Sequence, residues 1–479
     1  MSHNKHYKAT TSVWLSLVAV LFAGTDTANA QQWSFDASAD IGFIYTDNLF
    51  LAEDDAAESE LVYSVIPTLT LTSEGERLFG RIQYRPEAYL YAGSSEFNDI
   101  RNVLDANMTL AAVPEAFYLF ASAAQFQSLR ALEGEFPNTN VAITQNRVDS
   151  QVFEIRPYWE QSFSFGDVYA QYSIVDLGFD GDTLNGQEIQ DVQAQDVQFR
   201  FSNASRQQGL AWGVDYIDQT IDYDQGFEFR FQRFTANVGY WIGDTLRAFV
   251  SGGLETPLGG FPDGGLEDDF YEVGFQYVPN ARLDLTAAVA RRSFGNALRL
   301  NGSYRLRRGT TRLTYSEEPQ ARGQNIFGRQ PLTDPNFIDN FGDVPGNDDT
   351  FILKRAEWST SLELARTVVG LRLFDERRTN VSDVNGLQLG NEAFSGVELS
   401  ADWTLGARTG LGLRIQQASR EILQTEGDIF TIGLNANYNL SQRTAIVAGI
   451  SRTEVEGQTL NGGDFTEQQA RLSFRVSLR

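Results

Sequence analysis

The sequence predicts an all-β fold: a single antiparallel, up-and-down transmembrane β-barrel of about 22 strands, within a range of about 18–22. From Trp33 to Arg479, an alternating segment of about ten residues is followed by a connection that is in turn very short and long. Transmembrane barrels have this asymmetry, because their periplasmic turns are short and their extracellular loops are long. A soluble β-sandwich has no physical reason to lengthen every second connection.

The connections therefore fall into two classes. The clearest short ones are predicted periplasmic turns at 73–76, 113–116, 164–167, 242–245, 278–281, 406–409 and 441–444. The clearest long ones are predicted extracellular loops at 46–60, 128–148, 180–190, 255–269, 317–350, 379–393 and 455–467, and 317–350 is the candidate to fold inward and close the pore. Of the ambiguous connections, 92–98, 223–226, 293–296 and 420–426 are assigned outside, and 203–209, 307–309 and 365–367 to the periplasm. This assignment predicts 11 outward loops and 10 turns, with both termini in the periplasm.

Individual strands show the period-two alternation of a segment with two unlike faces. Residues 397–405, for example, set Val397, Leu399 and Trp403 against Glu398 and Asp402. The segment 227–242 changes its apolar face midway, which predicts a β-bulge or a different boundary. Aromatic residues near strand ends are predicted to form interfacial girdles, and these are Tyr89, Tyr91, Phe117, Tyr118, Tyr240, Trp241 and Tyr277.

Residues 1–30 are predicted to be a signal peptide, and residues 31–479 a single outer-membrane β-barrel. Lys5 and Lys8 precede an apolar run at 13–23 that is too short to span a bilayer, and Ala28-Asn-Ala30 has the form of a cleavage site. An N-terminal membrane anchor is the alternative. No linker divides the rest of the chain, and no plug domain is expected before the first strand. The predicted location is the outer membrane of a Gram-negative bacterium.

The acidic balance of the chain bears on its partners. A net charge of −25 argues against nucleic acid, because proteins that bind nucleic acids present basic surfaces. The simplest interpretation is a solvated acidic rim on the loops, and the alternative is binding of divalent cations that bridge to lipopolysaccharide. The acidic loop residues include Glu53, Asp54, Asp55, Glu58, Glu60, Asp263, Glu267, Asp268, Asp269, Asp334, Asp339, Asp343, Asp348 and Asp349. Outer-membrane lipid, lipopolysaccharide and the barrel-assembly machinery are the expected partners.

Most enzymatic chemistry is missing from the predicted barrel. Both histidines, His3 and His6, lie in the predicted signal peptide, and the chain has no cysteine. Ser-His-Asp triads, histidine metal sites, disulfides and thiol catalysis are therefore excluded from residues 31–479. We predict no enzyme, no catalytic residue, no metal site and no cofactor.

The basic residues are almost all arginine, since Lys5, Lys8 and Lys354 are the only lysines among 38 Lys and Arg residues. Arginine stays charged and binds carboxylate and phosphate through two parallel hydrogen bonds. The predicted lumen-lining set is Arg81, Arg85, Arg156, Arg299, Arg305, Arg307, Arg355, Arg372, Arg414 and Arg475. An anionic polysaccharide is an expected ligand of such a lumen. The alternative is that these arginines only stabilise the barrel wall, through ion pairs with Glu87, Glu154, Glu160, Glu357, Glu363 and Glu398.

Part of the chain resembles a known family. The segment Tyr45-Thr-Asp-Asn-Leu-Phe-Leu51 is followed by Val65-Ile-Pro-Thr-Leu-Thr-Leu71 and by Gly75-Glu-Arg77. These match the "Y-x-D-N-[IL]-x-L", "V-x-P-x-[LI]-x-L" and "G-x-R" elements of the PEP-CTERM/exosortase system-associated outer-membrane β-barrel family, which is related to the β-barrel porin-2 group. The resemblance is sharpest over residues 40–130. It implies an outer-membrane barrel encoded with exopolysaccharide and protein-sorting systems, with no catalytic residues to carry over.

Three functions remain open from the sequence. The first is an outer-membrane channel associated with exopolysaccharide export or the PEP-CTERM/exosortase system. The second is a general diffusion porin, and the third is a structural or surface-interaction barrel with a closed lumen. Ion selectivity separates the first two, because lumen arginines predict anion preference and rim acids predict cation preference.

Overall fold

The computed structural model describes residues 32–129, 137, 139–180, 191–203, 209–224, 228–256, 268–321, 350–380, 391–422, 425–457 and 463–478, which form one 22-stranded sheet. The strands are β1 Gln32–Thr46, β2 Glu60–Glu74, β3 Leu78–Tyr91, β4 Asp99–Val113, β5 Phe117–Leu129, β6 Arg147–Ser162, β7 Asp167–Asp180, β8 Val192–Ser202, β9 Leu210–Tyr223, β10 Glu228–Ile242, β11 Leu246–Glu255, β12 Asp268–Asn280, β13 Leu283–Arg292, β14 Gly295–Leu306, β15 Gly309–Ala321, β16 Thr350–Glu363, β17 Thr367–Asn380, β18 Glu392–Thr404, β19 Thr409–Ile422, β20 Thr425–Asn439, β21 Thr444–Gly457 and β22 Phe465–Ser477. A 3-10 helix, Ser95–Phe97, lies between β3 and β4. The predicted signal peptide at 1–30 lies outside the described residues.

The sheet closes on itself. Each strand pairs antiparallel with its neighbours in sequence, and β1 pairs with both β2 and β22. The predicted up-and-down topology and the count of 22 strands are confirmed. The described residues contain no helix long and apolar enough to cross a membrane.

The two ends of the barrel differ as predicted. One end, here called the turn end, carries short connections such as 281–282 and 307–308, together with the N-terminus of β1 and the C-terminus of β22. The other end, the loop end, carries the long connections. For every connection that was ambiguous in the sequence, the flanking strands meet at the predicted end. These ends are the periplasmic and extracellular ends of an outer-membrane barrel.

The outer face of the sheet is apolar. In β1, Ile41 is 53% exposed and pairs with Val65 on one side and Phe474 on the other, at 40% and 41% exposure. The preceding residue, Asp40, points inward opposite Arg475. An outward apolar belt is what lipid tails require, and the closed ladder satisfies the backbone groups that lipid cannot.

At the loop end of β7–β10 the polarity of the wall is reversed. Asp218 faces outward there and accepts hydrogen bonds from Arg230 at 2.8 Å and Gln232 at 2.8 Å. The inner face of the same strands carries a buried apolar cluster that includes Ile221 and Phe229. These strands have 11 to 15 residues, whereas a tilted strand needs only ~9–11 to cross a bilayer. The reversed part of the wall therefore lies above the membrane, because hydrocarbon cannot solvate ions.

The reversal explains the segment 227–242, for which the predicted bulge is wrong. β10 pairs with β9 and β11 in unbroken register. Phe229 and Phe231 face inward above the membrane, whereas Phe234 and Tyr240 face the lipid. The change of apolar face marks the border of the bilayer and not an extra residue. Irregular register occurs instead beside two turns, at Ala111/Val113 and Tyr277/Asn280.

The predicted aromatic girdle is correct only in part. Phe117, Tyr240 and Tyr277 lie exposed on the outer face near the turn end. Four other residues of the predicted set face the interior. Tyr89 and Tyr91 are buried at the loop end, Trp241 is buried, and Tyr118 stacks on Tyr158 at 4.9 Å. Their positions differ by one residue from the outward set, and one residue reverses the face of a strand.

Candidate functional site

The interior face of the barrel carries nine of the ten arginines predicted to line the lumen. Cross-strand register places each of them on the face opposite the apolar belt. Arg307 is the exception, because β14 ends at Leu306 and Arg307 is exposed in the turn 307–308. The nine interior arginines are Arg81, Arg85, Arg156, Arg299, Arg305, Arg355, Arg372, Arg414 and Arg475.

Five interior side chains of β16–β19 form a charge ladder, defined as Arg355, Glu357, Arg372, Glu398 and Arg414. Glu357 lies 3.1 Å from Arg355 and 3.3 Å from Arg372. Glu398 lies 4.0 Å from Arg372 and 3.5 Å from Arg414. Because each carboxylate lies between two guanidinium groups, the charge ladder orients three arginines along the wall and carries one surplus positive charge.

Seven of the ten predicted arginines are thus bonded to carboxylates, three of them within the charge ladder. This pairing favours the alternative that these arginines stabilise the wall. Five of the seven pair with the proposed partners Glu87, Glu154, Glu357 and Glu398, and the other two pair with Glu272 and Asp40. The structure shows no ion pair for Glu160 or Glu363 within its described ranges. The pairs outside the charge ladder are Arg85–Glu87 at 2.9 Å, Arg156–Glu154 at 3.5 Å, Arg299–Glu272 at 2.6 Å and Arg475–Asp40 at 3.0 Å.

The remaining three predicted arginines have a different environment. Arg305 faces the interior opposite Thr310, and Arg307 lies in the adjoining turn. Neither has a carboxylate within ion-pair distance in the part of the chain that the structure describes. Arg81 donates to Gln83 at 2.9 Å, a neutral partner. Positive charge that the wall does not neutralise is therefore found near the turn end.

A polar cavity of about 670 Å³ lies along the inner face of β8–β15. Its lining includes Arg233 and Arg247, which the sequence did not identify as candidates. Arg233 belongs to the segment whose face was ambiguous, and its inward direction follows only from the register with Glu255. A mixed lining of arginines and acids suits hydrated ions and polar solutes rather than an apolar ligand.

The first extracellular connection turns into the barrel. We call residues 47–52 the loop 1 segment. Asn48 is fully buried and holds this turn, because its Nδ2 donates to the carbonyls of Ala52 at 2.7 Å and Thr466 at 3.1 Å. Its Oδ1 accepts the Ala52 N–H at 2.9 Å. Leu49 then packs against the inner wall of β1–β3, and Leu51 against that of β18–β22.

Leu51 shows that the loop 1 segment is held inward. Its φ is 52°, in the left-handed region that non-glycine residues seldom adopt. Such strain persists only where the surroundings hold the backbone. The side chain is 2% exposed, in a cluster with Phe394, Val455 and Phe465. The packing of Leu51 therefore compensates for its backbone conformation.

A second connection joins the first inside the barrel. We call residues 139–146 the loop 3 segment. The N–H of Ile143 donates to the carbonyl of Leu49 at 2.8 Å, which ties the two segments together. Asn140 donates to Glu87 on β3 at 2.9 Å, and Gln469 on β22 donates to Thr139 at 2.6 Å. The loop 3 segment thus reaches inner walls distant from its own strands, β5 and β6.

Together the loop 1 and loop 3 segments narrow the loop end of the interior. The sequence had assigned closure to 317–350, but residues 322–349 lie outside the described residues. The acidic loop residues Glu53, Asp54, Asp55 and Glu58 are exposed, whereas Glu60 is buried and accepts the N–H groups of Leu61 at 2.9 Å and Gly93 at 3.0 Å. Within the described ranges no three acidic side chains converge as metal ligands do.

Comparisons with known proteins show the fold class. No family model matches the sequence, and no curated protein matches it. The structure is similar to that of the siderophore receptor PirA from Acinetobacter baumannii, with a TM-score of 0.50 and 8% identity over 92% of this chain and 80% of that one. PirA from Pseudomonas aeruginosa gives 0.44 and 10%, over 93% and 80%. An anion-selective porin from Comamonas acidovorans gives 0.36 and 11%, over 94% and 100%.

At such identities the likeness concerns the fold alone. The likeness to PirA from Acinetobacter baumannii supports the β-barrel fold. Porins and receptors are among the other structural neighbours. Membership of the PEP-CTERM-associated family remains a prediction from the sequence elements, as does the signal peptide.

Proposed function

We propose that the protein is an outer-membrane channel for anionic solutes that serves the export of an acidic exopolysaccharide, in association with a PEP-CTERM/exosortase system. The observation that carries the proposal is the arginine-lined interior face, on which the charge ladder has a surplus positive charge and Arg305 has no carboxylate partner among the described residues. The family resemblance of residues 40–130 supports the link to exopolysaccharide.

Paired arginines still serve transport. A guanidinium group has five N–H donors, and a carboxylate partner uses one or two of them. The remaining donors can contact a passing carboxylate briefly while the wall pair holds the side chain in place. Contacts that are weak and repeated meet the condition for conduction, in which a site must attract an ion without retaining it.

Two other functions have support of their own. A general diffusion porin is favoured by the pairing of seven predicted arginines, which leaves little net field in the interior. A structural barrel with a closed lumen is favoured by the loop 1 and loop 3 segments, which occupy the loop end. The three functions differ in conductance and in ion selectivity.

We expect purified barrel in planar bilayers to form stable channels whose reversal potential under a salt gradient has the sign of anion selectivity. Uncompensated arginines attract anions within about one Debye length, ~10 Å at 0.1 M salt, so selectivity should fall as salt rises. Cation selectivity would contradict the proposal and indicate control by the acidic loops. Folded, heat-modifiable protein without conductance would favour the closed barrel.

Replacing Arg305 and Arg307 with serine should shift the reversal potential toward zero, because two positive charges without carboxylate partners are removed near the turn end. The single substitution Arg305→Ser distinguishes the contribution of the interior residue Arg305 from that of the turn residue Arg307. The matched control is Arg291→Ser/Arg377→Ser, which removes two charges from the outer face near the loop end. Equal reversal potentials for Arg305→Ser and the control would refute a role for Arg305 in the lumen.

A further inference from the structure

The turn end of the barrel carries a one-sided row of arginines. We call this set the arginine arc; it lies in six turns that follow one another around the closed barrel, from β12–β13 through β20–β21 and on past the termini to β2–β3. All six side chains are exposed. The arginine arc consists of Arg282, Arg308, Arg366, Arg408, Arg443 and Arg77.

These arginines occupy one equivalent position. Each directly precedes a strand that rises from the turn end, and its backbone carbonyl accepts an N–H from the neighbouring strand at 2.7–2.8 Å. The donors are Arg305 to Arg282, Glu363 to Arg308, Thr404 to Arg366, Asn439 to Arg408, Ser477 to Arg443 and Ala111 to Arg77. The backbone of each arginine is therefore fixed, and the charges are presented in a regular row.

The other four turns have no arginine at this position, although the sequence of the β8–β9 connection contains Arg206. The residues that precede the rising strands β5, β7, β9 and β11 are Ala116, Gly166, Gly209 and Thr245. All ten turns stand at the same membrane interface, so contact with lipid headgroups gives no reason to confine arginine at this position to consecutive turns. The asymmetry indicates a ligand that approaches one side of the opening.

The charge of the arginine arc is not neutralised locally. Among the six turns, taken as 75–77, 281–282, 307–308, 364–366, 405–408 and 440–443, the sequence contains one acidic residue, Glu76. None of the arginines of the arc has an ion pair within the described ranges. An exposed row of unpaired guanidinium groups has free donors in the geometry that carboxylates accept.

The arginine arc leads into the barrel. By the alternation of the strand that follows, each arginine belongs to the interior-facing set, as Arg308 does with Thr310 and Arg312. Above Arg308 and Arg366 lies a cleft of about 400 Å³, near the turn end of β15–β18. Its interior lining combines hydroxyl groups, guanidinium groups and the carboxylate of Glu398, which lies 4.0 Å from Arg372. The hydroxyl and guanidinium groups belong to Thr310, Ser359, Ser361, Ser400, Arg312 and Arg372.

We propose that the arginine arc captures a polysaccharide whose sugars carry carboxylates, a polyuronate in chemical class, and passes it to the hydroxyl-lined cleft. The proposal rests on the export function proposed above and places its entry site at the periplasmic opening. Strands lie ~4.8 Å apart, so successive turns are about 10 Å apart, a spacing that suits charges repeated along a chain. Hydroxyls beside guanidinium groups in the cleft match sugar hydroxyls beside carboxylates.

The arginines continue from the rim into the interior of the barrel, and this favours a polymer over a folded acidic protein as the ligand. A protein domain can contact the rim, but it cannot follow Arg308 and Arg312 up the inner wall of β15. A flexible acidic polymer can contact both.

The test is equilibrium binding of a fluorescein-labelled oligogalacturonate to the full-length mature barrel in nanodiscs, followed by fluorescence anisotropy. The variant Arg366→Gln/Arg408→Gln/Arg443→Gln should weaken binding about tenfold, if each exposed guanidinium–carboxylate contact contributes the usual small amount. The control Arg291→Gln/Arg377→Gln/Arg452→Gln removes the same charge from the outer face near the loop end and should bind like the parent protein.

Each outcome decides one point. Equal loss of affinity in both triple variants would overturn the proposal, because net charge alone would explain binding. Equal or tighter binding of polyglutamate than of oligogalacturonate would overturn it in favour of an acidic protein partner. Binding does not require conductance. If the barrel does not conduct but the arc variant alone loses affinity for oligogalacturonate, the arginine arc is supported and the export function is refuted. If the barrel conducts but the arc variant binds oligogalacturonate as the parent protein does, the arginine arc is refuted and the channel function is not.

Discussion

Asn48→Ala is expected to increase single-channel conductance about twofold, because constrictions at the pore entrance limit ion flow. The side chain of Asn48 makes three hydrogen bonds while fully buried, and alanine leaves the Ala52 N–H and the Thr466 carbonyl without that partner. Each unsatisfied buried group costs ~1–3 kcal/mol. A change of ~1.4 kcal/mol moves the balance between inward and released loop about tenfold. Release of the loop 1 segment also removes the Leu49 carbonyl that Ile143 contacts in the loop 3 segment.

The matched control is Asn102→Ala. Asn102 lies on the outer wall of β4, where its side chain accepts a hydrogen bond from Tyr84 at 2.7 Å. It contacts neither inward segment, so the conductance should be that of the parent protein. Leu51→Ser provides a second route to the same result, since it removes the apolar contact and keeps the Asn48 hydrogen bonds. Unchanged conductance in both Asn48→Ala and Leu51→Ser would show that these segments do not limit flow.

Arg378→Ala should destabilise the barrel by about 3–5 kcal/mol, the usual cost of removing one partner of a buried ion pair. The Arg378 side chain is 2% exposed and lies 2.7 Å from Glu376 and 3.4 Å from Glu392. Its guanidinium also lies over the rings of Phe351 at 5.0 Å and Phe394 at 5.3 Å. Alanine deprives both interior carboxylates of this counter-ion. Urea unfolding in lipid vesicles, followed by heat-modifiable gel mobility, measures the loss.

The neighbouring residue provides the control for Arg378. Arg377 faces outward with a side chain that is 67% exposed, and it pairs with Asp375 at 3.2 Å. Exposed pairs of this kind contribute ~0–1 kcal/mol, so Arg377→Ala should leave the unfolding midpoint almost unchanged. Both substitutions remove the same charge from the same strand. Similar midpoints for the two variants would mean that the interior pair adds nothing to stability.

The local pattern of the chain was enough to predict the barrel. Lipid acts on every outward residue of a strand, so a residue such as Ile41 and its neighbours on β2 and β22 share one apolar face. Turn lengths then determine which connections stand at which end. Nine of the ten predicted arginines lie on the interior face for the same reason: Arg355 alternates with Lys354 and Ala356, which face outward.

Prediction failed where the solvent changes along a strand. Above the membrane the outer face of β9 and β10 contacts water, so Asp218 and Arg230 replace apolar residues while Phe229 and Phe231 turn inward. A period of two cannot show where the bilayer ends. The prediction also failed for Tyr89 and Tyr91, whose aromatic character suggested an interface. They lie one residue from the outward-facing positions of β3 and pack inside the loop end.

The sequence by itself determined the barrel class, the direction of the strands and the absence of histidine and cysteine chemistry from residues 31–479. It limited the number of strands to about 18–22, and barrel closure in the structure decided 22. Tertiary structure alone decided what fills the interior. Thr46 donates to Glu467 at 2.9 Å across 421 residues, and Asn48 reaches Thr466 across 418, only because β1 closes onto β22. Alternation is a local property of each strand, whereas these contacts depend on barrel closure, which brings together residues that no local pattern connects.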